Sequence, residues 1–393
     1  MLREWLIVLR AMPMGGQRLL NALHACGGIR QLVAAPAAQL RQLGLAPTTV
    51  AAIRRPDAAR IAADQRWLNQ ANRHLITWDQ PAYPALLRQA PSPPAALFVE
   101  GEPALLWQPQ LAIVGSRKPT AGGLDHARAF SRAMSRRGFA VTSGLASGID
   151  SAAHAAALDV GGTTLAVMGT GPDRIYPASS TRLAERIVRG GALVSELPPG
   201  QPPRKAHFPA RNRIIAGLSL GVLVVEAGLG SGSLITARLA AEQGREVFAV
   251  PGSLRNPMAR GCHRLIRDGA MLVEDPDDMV AELRPVASAL AIALGGQLLP
   301  EDRERAPGPS WPSSCAEMPD MMADPDYRRL WAVLGHDPKP VDCLVTQSGL
   351  RVQAVSSMLL MLELRGQVEV FEGAKYARRN AGVEGGKSAE NRG

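Results

Sequence analysis

One segment of the chain, residues 195–219, combines several cations with a single aromatic ring. The cations are Arg204, Lys205, Arg211 and Arg213, and the ring is that of Phe208. Positive groups neutralise phosphates and an aromatic face stacks on a base, so these residue types suit a ligand that carries both. The segment is rich in proline, and none of its side chains pairs a nucleophile with a base. It therefore predicts a site for a ligand that carries both phosphate and base, and the alternative is a solvated basic loop before a core helix.

Glycine-rich loops follow four short apolar runs that predict β-strands. Their small residues are Gly115 and Ser116 with Arg117, then Gly144, then Gly171, then Ser231, Gly232 and Thr236. Glycine and small hydroxyl side chains let backbone N–H groups approach an anion without steric block. Tight turns need glycine in any case, so one such loop says little. Four loops at one edge of a sheet, beside Lys205 and Phe208, predict a binding pocket.

Motifs for catalysis are missing from the sequence. There is no GxxxxGK[ST] phosphate loop, the first strand lacks GxGxxG, and no HExxH or CxxC motif occurs. His154 is expected to pack within a helix, Asp150 to cap a helix start, and Glu226 has no evident acid–base partner. The sequence therefore predicts no catalytic residue, no metal site and no cofactor.

Composition points to a folded protein with anionic partners. The 393 residues are 46% hydrophobic and carry a formal charge of +9, with an isoelectric point near 9.9. Cys26, Cys262, Cys315 and Cys343 are widely separated, which favours free thiols in a reducing compartment. No signal peptide and no run of about 18 uncharged apolar residues is visible. We expect a cytoplasmic protein that does not enter a membrane.

The elements that must position these residues alternate from residue 110 onwards. Apolar runs predict strands at 111–115, 140–143, 164–168, 192–195, 222–226, 246–250 and 271–273, after an earlier short strand at 97–101. Helices are predicted at 122–137, 149–160, 181–189, 234–243 and 264–267. This alternation indicates the α/β class, with a doubly wound and mostly parallel sheet whose strand order cannot be read from the pattern.

The flanks of this region have a different character. Residues 1–75 predict three to five short helices, which form either a helix-hairpin-helix (SAM-like) module or a structural cap. The domain with the sheet then spans 76–284, a flexible linker 285–325, and a disordered tail 380–393.

Residues 326–379 predict a winged-helix domain. Its helices are expected at 327–334, 341–347 and 352–365, followed by a hairpin that turns at Gly373. The third helix is apolar with almost no cations, so we favour packing or protein contact over reading of a DNA groove. Arg351, Lys375, Arg378 and Arg379 remain available for non-specific phosphate contacts.

Five motifs together resemble those of the DNA-processing protein A (DprA/Smf) family. They occupy residues 115–117, 143–150, 169–177, 208–219 and 231–237, in order along the α/β region. The resemblance implies an extended Rossmann-like core between a SAM-like domain and a winged helix, in a homodimer without enzymatic activity. It also implies binding of single-stranded DNA and loading of the recombinase RecA onto that DNA during natural transformation, with single-strand-binding protein as a further partner.

The same resemblance assigns roles to residues. It implies that Arg117 and Lys205 hold phosphates, that Phe208 stacks on a base, and that Arg211, Asn212 and Arg213 complete the pocket. Residues 231–236 line it. The chain departs from the family pattern at Cys262 and His263, to which no function is transferred, and in the glycine turn at residues 14–16.

Two other functions compete with this interpretation. One is a Rossmann-like nucleotide phosphoribohydrolase of the lysine-decarboxylase-like family, whose PGGxGT signature is absent from residues 228–234. The other is a transcription regulator that binds duplex DNA through the winged helix.

Overall fold

A computed structural model describes residues 1–298, 325–335, 337–350, 355, 358–359, 362, 368–371 and 375–378. The chain forms two compact units, Met1–Glu301 and Asp302–Gly393. The first unit contains a sheet of nine strands with helices on both faces, and the second a small three-stranded sheet with helices.

The large sheet follows the predicted alternation. Its strands are β1 (Arg73–Thr77), β2 (Ala96–Gly101), β3 (Gln110–Val114), β4 (Ala140–Ser143), β5 (Thr164–Val167), β6 (Gly191–Ser195), β7 (Gly221–Val224), β8 (Glu246–Ala249) and β9 (Met271–Leu272). They lie in the order β1-β2-β6-β5-β4-β3-β7-β8-β9. Strands β3 to β9 are parallel, while β2 is antiparallel to β6 and β1 to β2. The predicted α/β class is confirmed.

The strand order creates a topological switch point at β3. From β3 the chain winds outward through β4, β5 and β6, and then returns to pair β7 on the other side of β3. The loops after β3 and β7 therefore diverge to opposite faces of the sheet and leave a crevice beyond the strand ends, where ligands bind in folds of this kind.

Helices cover both faces of the sheet. They are α7 (Ala85–Arg88), α8 (Ala121–Arg136), α9 (Ile149–Asp159), α10 (Thr181–Gly190), α11 (His207–Leu218), α12 (Gly232–Glu242), α13 (Arg260–Arg267) and α14 (Pro276–Leu298). Along β3, Ile113 packs in the cluster of Phe130 from α8, while Val114 packs in the cluster of Ile214 from α11. Because both faces of the sheet are buried, the sequences of its strands are continuous apolar runs.

The first residues form a helical layer against one edge of the sheet. Its helices are α1 (Leu2–Ala11), α2 (Gly16–Cys26), α3 (Ile29–Ala34), α4 (Ala37–Gln42), α5 (Pro47–Arg54) and α6 (Ala58–Leu68). Phe98 of β2 is fully buried in the same cluster as these helices and meets the Trp67 ring edge-on at 6.0 Å. The helical residues and the sheet therefore share a core, and the predicted boundary at residue 75 falls inside β1, a strand that the sequence pattern did not predict.

A buried ion pair ties the helical layer to the sheet. The Arg10 guanidinium of α1 binds both oxygens of Asp64 on α6 and also donates to the carbonyl of Pro199 at 2.7 Å. Asp64 is fully buried, and burial raises the pKa of its carboxyl while the Arg10 guanidinium opposes that shift. Removing either partner would leave a buried charge uncompensated.

Helix α14 extends into the predicted linker. It continues through Pro285 to Leu298, and its residues Met279, Leu283 and Leu290 are buried in the cluster of Phe130. The spacing of four and seven residues between them places one face of the helix against the core, so residues 285–298 are helical where a flexible linker was predicted. The remainder of the predicted linker, residues 299–324, lies outside the described residues.

The second unit has its own apolar core. It contains α15 (Pro325–Val333), α16 (Val341–Ser348), and strands β10 (Lys339–Pro340), β11 (Val368–Phe371) and β12 (Lys375–Arg378) in the order β10-β12-β11. Leu330, Leu344 and Leu359 are buried together. The hairpin strands are observed where predicted. The third predicted helix is described only at residues 355, 358, 359 and 362, and Arg351, Gly373, Arg379 and the tail 380–393 lie outside the described residues.

One of the cations proposed to contact DNA in this unit is already engaged. The Arg378 guanidinium lies 4.5 Å from the centre of the Trp331 ring and donates to the Trp331 carbonyl. Lys375 is exposed. In the described part of either unit, no helix has the length and apolar character needed to span a membrane.

Candidate functional site

An open cleft of about 520 Å³ lies at the carboxyl ends of the parallel strands, at the switch point. Loops after β3, β4, β5 and β7 and the start of α11 all contribute to it. The lining residues predicted from sequence are Gly115, Arg117, Lys205, Phe208, Arg211, Asn212, Ser231, Gly232 and Thr236. The structure thus brings together residues from distant segments of the chain. Tyr176 and Asp150 join them.

The aromatic part of the cleft is a pair of rings. The centre of the Phe208 ring lies 5.4 Å from that of Tyr176, at an interplanar angle of 47°. The Arg117 guanidinium lies over the Phe208 ring, 5.8 Å from its centre, in the range of a cation–π contact. Tyr176 is 47% exposed and Phe208 is partly buried. Tyr176 was not among the predicted site residues, although an aromatic residue in a glycine-rich loop was a usable signal.

The position of the Phe208 ring requires a glycine at residue 169. A Cβ on Gly169 would lie 2.9 Å from the Phe208 ring, closer than such carbon atoms approach one another. The backbone carbonyl of Gly169 also lies 3.2 Å from Nδ1 of His207, the residue before Phe208. The loop after β5 therefore seats the ring as well as supplying Tyr176.

Phe208, Arg211 and Arg213 lie on α11, which begins at His207, and not on the proline-rich loop that the sequence suggested, whereas Arg204 and Lys205 do lie on that loop. Lys205 precedes the helix and is exposed, whereas Phe208 and Arg211 lie one turn apart on the same helix face. Asn212 follows, and its Nδ2 donates to the Gly232 carbonyl at 3.2 Å, which links α11 to the loop after β7. The helix therefore fixes these side chains relative to one another.

Arg211 forms the floor of the cleft. Its side chain is buried, and its guanidinium donates to the Val167 carbonyl and lies beside Asp150. Burial lowers the pKa of Arg211 to about 10, an effect that the Asp150 carboxylate opposes. A Cβ on Gly144 would overlap the guanidinium, so this glycine makes room for it. At neutral pH the floor therefore carries a positive charge that water barely screens.

Asp150 compensates this charge from below. Its Oδ2 accepts hydrogen bonds from the backbone N–H groups of Gly144 at 3.1 Å and Ala146 at 3.4 Å. Burial raises the pKa of the carboxyl, and the Arg211 guanidinium and the two amides oppose that shift. The expectation that Asp150 caps α9 is wrong, since the N-cap is Gly148. Asp150 instead fixes the loop after β4.

Arg213 does not line the cleft. Its Nη2 binds both carboxylate oxygens of Glu196 at 2.7 and 2.8 Å, and it points towards Gly16 of the helical layer. The Ser116 hydroxyl accepts from the Lys118 N–H and is nearly buried, and the Gly171 N–H donates to the Gln201 carbonyl at 3.0 Å. These three residues support the loops rather than face the cleft. Gly144 lines a smaller recess beside it.

Other reactive groups near the site have structural partners. Glu226 accepts from both the N–H and the hydroxyl of Thr120, the N-cap of α8, at 2.9 and 2.6 Å. Cys262 is fully buried, and burial raises the pKa of its thiol to about 11. His263 lies 2.9 Å from the Gly252 carbonyl. Among the described residues, no three His, Cys, Asp or Glu side chains converge as a metal site requires.

His154 is a buried histidine behind the cleft. Its Nδ1 lies 2.6 Å from the Thr164 hydroxyl, which itself donates to the Val141 carbonyl, so Nδ1 carries the proton. Its Nε2 is buried and has no hydrogen-bond partner within the described residues. Burial and the Arg211 charge lower the pKa of His154 to about 3.

The stability of the protein should therefore fall in mild acid because of His154. The unfolded chain binds this proton below a pKa of about 6.5, whereas the folded chain resists it, so the contribution is complete above pH 6.5 and is lost as pH falls towards 3. Between pH 7 and pH 5 the loss is about 2 kcal/mol. We expect the H154N variant to lack this loss of stability. The measurement is the free energy of unfolding in urea, compared at the two pH values.

The matched control for this experiment is H126N at an exposed position of α8. It should lose as much stability between pH 7 and pH 5 as the unmodified chain. Equal losses in H154N and the unmodified chain would show that His154 is not the group responsible.

Comparison with known proteins identifies the family. The sequence matches the family described as DNA recombination-mediator protein A over residues 74–284, and the DprA winged helix domain over residues 314–374. Protein Smf of Escherichia coli (strain K12) is 43% identical over 317 residues, which cover 80% of each chain. DNA processing protein DprA of Streptococcus pneumoniae (strain ATCC BAA-255 / R6) is 47% identical over 200 residues, which cover 51% of this chain and 71% of that protein.

A solved structure agrees with the sequence comparison. The X-ray structure of DNA processing protein A from Streptococcus pneumoniae superposes with a TM-score of 0.64 at 35% identity, over 71% of this chain and 97% of that chain. The chain therefore belongs to the DNA recombination-mediator protein A family, which includes the Smf and DprA proteins, and its function lies in DNA processing.

Proposed function

We propose that the cleft binds single-stranded DNA. The observation that carries this proposal is the grouping of Arg117 and Lys205 with the Phe208–Tyr176 ring pair around one open cleft. The two exposed cations suit phosphates and the rings suit bases. In a duplex the faces of the bases are covered by their neighbours, so stacking on protein rings favours an unpaired strand.

Charge reversal tests this proposal. We expect R117E and K205E each to weaken binding of a fluorescent oligothymidylate about tenfold or more, because each removes a cation that binds phosphate and adds repulsion. Each should also flatten the dependence of log Kd on log salt concentration by about 0.7 for every phosphate that the variant no longer neutralises. Fluorescence anisotropy at several salt concentrations measures both effects.

R136E is the matched control for these variants. Arg136 is exposed at the last residue of α8, whose other end faces the cleft, so it lies towards the opposite edge of the sheet. The R136E variant should bind the oligonucleotide as tightly as the unmodified chain. Full affinity in both R117E and K205E, or an equal loss in R136E, would refute the proposal.

We propose further that the cleft binds without catalysing a reaction. A phosphoribohydrolase needs a carboxylate free to act on the sugar. Asp150 is instead committed to Arg211 and two backbone amides, and Glu226 to Thr120. Incubation with AMP should therefore release no adenine, as followed by chromatography. Steady release that K205E abolishes would restore the enzymatic alternative.

The family suggests the wider role. We propose that the chain acts in the cytoplasm as a homodimer, displaces single-strand-binding protein and loads RecA onto DNA taken up during natural transformation. Family membership and the cation-lined cleft support this proposal. We expect the protein to accelerate RecA filament formation on DNA coated with single-strand-binding protein, and K205E to lose that effect.

Light scattering should give twice the chain mass of 41.7 kDa. Filament formation that is not accelerated would contradict RecA loading, and the mass of a single chain would contradict the homodimer.

A further inference from the structure

A second cation-lined depression lies beside the cleft. It has a volume of about 540 Å³ and is bounded by α6 on one side and by the segment 199–204 on the other. We call it the arginine groove, after the four arginines that line it: Arg10, Arg60, Arg66 and Arg204. Trp67, Gln70 and Asp173 complete its walls.

The arginines differ in how far their charges are already compensated. Arg10 is bound to the buried Asp64, and Arg60 is paired at 3.2 Å with Asp57 on the exposed surface. Surface pairs of that kind are weak and open readily to another anion. Arg66 and Arg204 are exposed, and neither forms an ion pair with a carboxylate of the described residues.

The acidic residue of the groove, Asp173, offsets only part of this positive charge. One carboxylate oxygen of Asp173 accepts the Gly200 N–H at 2.7 Å, and the other lies 3.9 Å from Nε of Arg174. Trp67 is 6% exposed, and its Nε1 is buried with no hydrogen-bond partner among the described residues. The groove therefore has an excess of positive charge, which suits an anion.

The groove and the cleft are continuous along the chain. Arg204 lines the groove and its neighbour Lys205 lines the cleft, and the Cα atoms of adjacent residues are about 3.8 Å apart. The loop after β5 also borders both sites, since Asp173 lines the groove and Tyr176 lines the cleft. A polyanion that leaves the cleft past Lys205 therefore meets Arg204 next.

We propose that the arginine groove binds the phosphate backbone of nucleotides that flank those held in the cleft. The proposal rests on the function proposed for the cleft, and it assigns a DNA contact to the helical layer. The groove offers cations without a freely exposed ring, since Trp67 is buried. It therefore contributes affinity that depends on strand length but not on base identity.

Oligonucleotide length separates the two sites. An oligothymidylate of about 6 nucleotides fills one site, whereas one of about 25 nucleotides spans both. We expect R66E to bind the short oligonucleotide as the unmodified chain does, and the long one about three- to tenfold more weakly, with a salt slope lower by about 0.7. K205E should weaken binding of both.

The matched control is R41E, which makes the same charge change at an exposed position of α4 outside the groove. It should bind both oligonucleotides normally, which excludes an effect of net charge alone. R66Q should lie between R66E and the unmodified chain on the long strand.

The outcomes distinguish the groove from the cleft. If K205E weakens both lengths while R66E equals R41E on the long strand, the groove inference is wrong and the function of the cleft stands. If R66E weakens the long strand while K205E binds both normally, the cleft proposal is wrong, and so is the inference that the groove binds nucleotides flanking those in the cleft. An equal loss on both lengths in R66E would also overturn the groove inference, because length dependence is its central claim.

Discussion

The arrangement of the cleft depends on the burial of one cation, Arg211. A guanidinium out of contact with water needs a compensating charge and acceptors, and Asp150 and the Val167 carbonyl provide them. These partners lie after β4 and at the end of β5, so the interaction fixes α11 across the strand ends. Phe208 lies one turn before Arg211 on α11 and is positioned by the same constraint.

Buried and exposed charges have separate tasks around this floor. Arg10 is paired with Asp64 and joins α1 to α6, Arg213 is paired with Glu196 and joins α11 to the end of β6, and the buried charge of Arg211 interacts with that of Asp150. Arg117 and Lys205 stay exposed at the rim, where water and ligand can exchange. The buried charges stabilise the fold, so the exposed cations are not needed for that purpose. The binding residues are therefore already ordered before a ligand binds.

Much of the fold could be predicted because its physical signals are local. Continuous apolar runs followed by glycine indicated the parallel strands, since both faces of the sheet are covered. The edge strand β1 was missed because Arg73 and His74 are polar, and their pairing with β2 is a tertiary effect. The strand order, and hence the location of the crevice at β3, depends on contacts between distant segments that no local pattern records.

The candidate site was predictable in composition but not in detail. Arg211 and Arg213 are two positions apart, which puts them on opposite sides of α11, one towards the cleft and the other towards Glu196. Sequence spacing could reveal this only after the helix was known to begin at His207 rather than further on. Tyr176 was missed because its nearness to Phe208 follows from the packing of the β5 loop against α11.

The most direct measurement is a crystal structure of the full chain with a short oligothymidylate. We expect one thymine stacked on the Phe208–Tyr176 pair, with neighbouring phosphates within ion-pair distance of the Arg117 guanidinium and the Lys205 amine. A strand bound elsewhere on the protein, with this cleft free of nucleotide, would contradict it.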